Sequence, residues 1–204
     1  MLGIKINHQE SGISLDQQHF IKALVEQYGM NQCKSVNTPL VPHCHLTPAT
    51  DEEINTFNEL KINFRSAIGS INYLSSATRP NLSFAVSALS QYLEKPGILH
   101  WRAFLYILKY LNRTQELGLM YQKNKINRIK AHCDADRGNY RLTRRSVTGY
   151  LARFGNCVVH WKSRKQPTVS ISTAEAEYKA LCDLMSELLW LKQWCKKANI
   201  LKTS

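Results

Sequence analysis

Asp134 and Asp136, in Cys133-Asp134-Ala135-Asp136, and Glu177, in Ser172-Thr173-Ala174-Glu175-Ala176-Glu177-Tyr178, are the residues whose types and spacing could do chemistry. Asp134 closes an alternating run from Ile129, and Asp136 points to the same side if the strand continues. Carboxylates from a strand end and a helix start, converging on one point, suit hard Mg²⁺, which takes oxygen ligands. Two such ions would clamp the attacking and leaving oxygens in phosphodiester hydrolysis. The structural alternative is that Asp134 simply terminates a strand and Glu177 accepts a bond from a basic neighbour.

The helix expected over 174–198 sharpens the choice. Ser172 and Glu175 stand in the S-x-x-E relation of a capping box, so Glu175 has a structural job. Glu177 has none. Leu181, Leu184, Leu188, Leu191 and Cys195 follow it at helical spacing, which predicts Glu177 at the end of the apolar stripe facing the sheet. A carboxylate there is costly unless it is paired or holds a cation.

Upstream, residues 2–7 and 12–15 alternate like a hairpin turning at Gln9-Glu10-Ser11-Gly12. A helix is expected from Asp16, with Phe20, Leu24, Val25 and Tyr28 at helical spacing and Gly29 as its stop. Cys33 to Asn63, polar and carrying Pro39, Pro42 and Pro48, reads as a largely extended linker. Three helices follow: Phe64–Ser76, one starting at Pro80 and broken by Pro96-Gly97, and Leu99–Asn112. From Leu117 the period becomes two, with strands over 117–122, 128–134, 147–154 and 157–162. The predicted class is α+β, divided near Lys123-Asn124-Lys125.

Lys and Arg outnumber Asp and Glu by 27 to 15, which suits a polyanionic partner, nucleic acid first and an acidic membrane surface second. No apolar run is long enough to cross a bilayer, so no membrane partner is expected. The N-terminus shows no secretory pattern, and the six cysteines show no framework spacing, pointing to reduced thiols in cytoplasm or nucleus. His43-Cys44-His45 with Cys33 lacks the second ligand pair a zinc site needs, so a loop is expected there.

The chain resembles the C-terminal part of a copia-type (Ty1/copia) retrotransposon Pol polyprotein over nearly its whole length. The resemblance is carried by LDQQHFIKALVEQYGMNQCKSVNTPL at 15–40, RSAIGSINYLSSATRPNLSFAVSALSQ at 65–91 and HWRAFLYILKYLNRTQELGL at 100–119. It continues through CDAD at 133–136, SVTGYLARFGNCVVHWKSRKQPTVSISTAEAEYKAL at 146–181 and LLWLKQW at 188–194. It implies a hairpin and helical reverse-transcriptase thumb/connection unit over 1–122. An incomplete RNase H-like half-domain would follow over 127–204. By the same resemblance, Asp134 and Glu177 match catalytic residues of an enzyme that cleaves the RNA strand of an RNA:DNA hybrid with Mg²⁺.

The departures set expectations too. The palm motif Tyr-x-Asp-Asp does not occur in these residues, which excludes polymerisation by them. The third catalytic Asp of the family is also missing, and Arg137 stands where the family has Trp. Asp183 lies about 240° round the helix from Glu177, and Glu187 about 280° round and some 15 Å along, so neither completes the site. Mg²⁺ is thus expected to be held weakly or not at all, by Asp134, Glu177 and Asp136, with hydrolysis lost. An open strand edge beside Asp134 predicts self-association.

Arg137, Arg141, Arg144, Arg145, Lys162, Arg164 and Lys165 cluster on two neighbouring connections, a patch suited to the phosphates of a hybrid duplex. A solvated basic surface is the alternative. Short copia-derived frames also resemble sequences labelled secreted RxLR effectors of plant-pathogenic oomycetes, implying a non-catalytic protein, secreted into a host cell, that binds a host factor. The chain has no Arg-x-Leu-Arg; Arg141-Leu142-Thr143-Arg144 is the nearest string.

Overall fold

The computed structural model describes residues 3–42, 46–123, 128–140 and 142–198. Alternating residues form β1 (Lys5–Gln9) and β2 (Gly12–Asp16). At Gly12 a Cβ would run into the Tyr121 carbonyl, so glycine alone permits that approach. Asp16 Oδ1 accepts a bond from the Gln18 N–H at 3.2 Å, ahead of α1 (Gln18–Gln27), which buries Ile21, Leu24 and Val25.

The expected linker from Cys33 to Asn63 is corrected. Asp51–Glu59 is a helix, α2, closed by a reciprocal box in which Thr50 Oγ1 accepts from the Glu53 N–H at 3.3 Å and Glu53 Oε2 from the Thr50 N–H at 2.9 Å. Three acids in its first turn oppose the helix dipole, and Phe57 is its buried anchor. Residues 43–45, the His-Cys-His string, lie outside the described residues.

Phe64–Ala77 is α3, capped by Asn63; a 3-10 turn at Pro80–Leu82 leads into α4 (Ser83–Ser90), and Ile98–Arg113 is α5. Their apolar faces meet α1 and α2 in one core that includes Ile71, Leu74, Leu89, Phe104 and Leu108. Two buried polar side chains pin the connections around it. Arg79 donates to Thr114 O at 3.0 Å and Thr114 Oγ1 at 2.7 Å. His100 Nδ1 accepts from the Gly97 N–H at 2.9 Å, which leaves Nε2 to donate to Thr47 O, also 2.9 Å away.

Leu119–Gln122 is β3, and β1, β2 and β3 form one sheet in that order. A second antiparallel sheet has the order β4 (Ile129–Asp136), β5 (Arg145–Phe154), β6 (Cys157–Val169). β6 runs seven residues beyond the expected end at Lys162, through Pro167. As an edge strand it tolerates a residue with no N–H to donate. β4 pairs only with β5 among the described residues. The chain closes with α6 (Thr173–Lys197).

The protein is thus α+β and divides into two compact units. One holds residues up to Asn7 with Ser14–Leu119; the other holds His8–Ile13 with the residues from Met120. Residues 124–127, around the expected boundary, lie outside the described residues. No helix among the described residues is long and apolar enough to cross a membrane.

Candidate functional site

Strand alternation sorts the candidate residues onto two faces of the second sheet. Cys133 and Ala135 pack against Ala176 and Ala180 of α6, while Asp134 and Asp136 are exposed on the other face of β4. Asp134 lies opposite Gly149, where an added Cβ would meet nothing within 4 Å. The floor beside this carboxylate is therefore open. Asp136 Oδ2 accepts a bond from Asn139 Nδ2 at 2.6 Å.

Glu177 sits in the first turns of α6, half-buried, but not on the stripe the sequence predicts. The buried positions are Ala176, Ala180, Leu184, Leu191 and Cys195, and Leu181 is exposed. The stripe begins one residue earlier because two alanines allow α6 close to Cys133 and Ala135, which a Glu177–Leu181 face would not. Glu177 is left at its flank. Burial, then Glu177 and then Asp134, pushes the Cys133 thiol up from its ordinary range, so both carboxylates act on the same sulfur. No group of three or more His, Cys, Asp or Glu side chains able to hold a metal occurs among the described residues.

The basic cluster divides in the same way. Lys162 and Arg164 lie on β6 rather than in a connection, on the face that α6 covers. Arg164 grips Asp183 through Nε–Oδ2 at 3.1 Å and Nη2–Oδ1 at 2.5 Å. Lys162 Nζ lies 3.7 Å from Glu187, whose carboxylate also takes a 3.2 Å bond from the Tyr150 hydroxyl and sits 3.4 Å from His160 Nε2. Burial and then Glu187 hold the Tyr150 phenol well above the usual tyrosine range. Asp183 and Glu187 thus anchor α6.

Lys165 is on the opposite face, paired with Val147 in the row next to Gly149, and Arg145 approaches it. Burial first, and then the Arg145 charge, lowers the Lys165 pKa. Its ammonium lies 4.9 Å from the centre of the Tyr140 ring, a cation–π contact. Arg144 is exposed, and Arg137 Nη2 donates to Ile171 O at 2.6 Å; Arg141 lies outside the described residues. One face of the sheet therefore carries Asp134 and Asp136 together with Lys165.

Sequence reasoning missed Gln166, which is buried where β5, β6 and α6 meet. Its Nε2 donates to Thr148 Oγ1 at 3.0 Å and Ala176 O at 2.9 Å, and its Oε1 accepts from Ser170 Oγ at 3.0 Å. Ser172 Oγ caps α6 through the Glu175 N–H at 3.0 Å, but Glu175 reaches back to the Ile171 N–H at 2.8 Å rather than to Ser172. Gln166 and this cap together fix the turn that bears Glu177. A glutamine in an alternating polar strand carries no periodic signal of such a role.

Comparison with known proteins sets the family. The chain is 35% identical, over 98% of its length, to the retrovirus-related Pol polyprotein from transposon TNT 1-94 of Nicotiana tabacum, of which it spans 15%. It belongs to the copia-type retrotransposon Pol family. This Pol segment is also 33% identical, over 93% of its length, to the uncharacterized mitochondrial protein AtMg00810 of Arabidopsis thaliana, of which it covers 76%. It is 40% identical, over 63% of its length, to secreted RxLR effector protein 161 of Plasmopara viticola, of which it covers 90%. No protein-family model matches it, and no solved structure matches significantly.

Proposed function

We propose that the C-terminal unit is an RNase H-like element that binds RNA:DNA hybrids on the open face of its sheet, and that the helical unit derives from a reverse-transcriptase thumb and connection. The observation that carries this reading is the placement of Asp134 and Asp136 beside open space at Gly149, on the face that also bears Lys165. Arg144, Arg145 and Lys165 supply phosphate contacts without sequence preference. Lys162 and Arg164, engaged by α6, serve the fold instead.

The donor set fits a hydrated Mg²⁺. Asp134 and Asp136, exposed on one face of β4, provide hard oxygens, and this ion is commonly held by one or two carboxylates plus water and phosphate; Glu177, on α6 at the opposite face of the sheet, is not part of that pair. When bound it would neutralise phosphate charge and lower the pKa of a water. Asp134 and Asp136 would hold it, and Arg145 and Lys165 would orient the duplex backbone. With no larger set of ligands among the described residues, binding without measurable cleavage by these 204 residues is the expected behaviour.

Fluorescence anisotropy with a labelled hybrid tests this. Affinity should fall linearly with salt on a log–log plot, and no product should appear in Mg²⁺. Affinity independent of salt would refute the binding face. Cleavage abolished by Asp134→Asn would instead establish a working nuclease. The likeness to the RxLR effector favours a second reading, a non-catalytic protein that binds a host factor, and absence of hybrid binding at low salt would select it.

A further inference from the structure

Helix α6 has a second apolar stripe that nothing among the described residues covers. Tyr178, Leu181, Met185 and Leu189 are 70%, 44%, 49% and 58% exposed. At about 100° per residue they fall within an arc of about 80°, centred roughly 130° from the buried face. A surface helix ordinarily shows one such stripe, and a contiguous exposed one marks a contact.

The stripe is symmetric about Met185. Leu181 and Leu189 lie four residues to either side of it, and Tyr178 and Lys192 lie seven. A second copy of α6 laid antiparallel, with Met185 on the two-fold axis, would set each Leu181 against Leu189 of the other copy and each Tyr178 against Lys192. The charges agree with that direction. Glu177 flanks the N-terminal end, while Lys192, Lys196 and Lys197 occupy the C-terminal end. Antiparallel pairing brings acid to base, whereas parallel pairing stacks lysine on lysine.

We propose that the exposed stripe of α6 is an isologous interface through which two copies of this chain pair antiparallel about Met185. A self-complementary patch is what a two-fold axis demands. From Tyr178 to Lys192 the contact is about 21 Å long. A single helix pair of that length falls in the small-interface class, so the dimer is a weak, reversible one. The proposal does not depend on hybrid binding.

Sedimentation velocity on the full chain, from low to several hundred micromolar, tests it together with a cross-link. The expected result is a monomer–dimer equilibrium that Met185→Lys weakens at least about tenfold by placing two ammonium groups on the axis, with unchanged circular dichroism. In a Cys182→Ser background, Leu181→Cys with Leu189→Cys should give a mapped 181–189 disulfide between chains. A monomer throughout, or association indifferent to Met185→Lys (as pairing through the β4 edge would be), overturns the proposal. A 181–181 cross-link overturns the antiparallel arrangement.

Discussion

Replacing Gln166 by alanine should cost the C-terminal unit far more than an alternating polar strand would suggest. The side chain is 1% exposed and makes three hydrogen bonds, to Thr148 on β5, to the Ala176 carbonyl on α6 and from Ser170. Each is worth about 1 kcal/mol net, and the buried Thr148 hydroxyl left behind adds a desolvation penalty of about 1–2 kcal/mol. The sum is about 4–5 kcal/mol. Gln166→Glu should lose a similar amount, because a carboxylate oxygen would then face the Ala176 carbonyl. The assay is urea unfolding followed by tryptophan fluorescence in a Trp101→Phe background, which leaves Trp161, Trp190 and Trp194 in the C-terminal unit. With a urea slope of about 1–1.5 kcal/mol per molar for a unit of this size, the midpoint should fall by about 2 M or more. A fall below about 0.5 M would show that Gln166 does not tie the sheet to α6, and the account of how Glu177 is positioned would fail with it.

Three further outcomes follow from other contacts. Gly97→Ala should destabilise the helical unit by about 1–3 kcal/mol in thermal unfolding, because the new methyl group overlaps the Ala49 Cβ and comes within 3.3 Å of the Glu53 Cβ. Burial depresses the His100 pKa, so the unfolded chain takes up a proton near pH 6.5 while the folded chain resists it. The stabilisation from neutral His100 is then complete above about pH 6.5 and is lost as pH falls below it, a dependence that His100→Gln should remove from melting curves between pH 5 and 8. Finally, Arg145→Ala with Lys165→Ala should lower the slope of log affinity for a hybrid against log salt by about 2. Arg164→Ala should leave that slope unchanged and instead cost about 0.5–1 kcal/mol through the partly exposed pair with Asp183.

Much was legible without coordinates, because it depends on residues near one another in the chain. The α5 stripe, the hairpin, the switch to period two after Leu117 and the serine cap of α6 are local patterns, and each appears within a few residues of its expected place. α2 is a local pattern as well: Thr50 and Glu53 spell a capping box just past the last of the three prolines. The family too is legible in sequence, through identity to its relatives that runs over nearly the whole chain.

What tertiary structure decided is which side of each element meets which neighbour. Lys162, Arg164 and Lys165 are adjacent in sequence, yet alternation in β6 sends the first two to the carboxylates of α6 and the third to the open face with Asp134. A stripe counted from Glu177 and one counted from Ala176 are equally regular on paper. Only the approach of α6 to Cys133 and Ala135, which two alanines permit, selects the second. Helical and strand periods follow from backbone geometry and so can be read along the chain. The phase of a helix against a sheet is set by side-chain volume at the contact, which belongs to both partners at once.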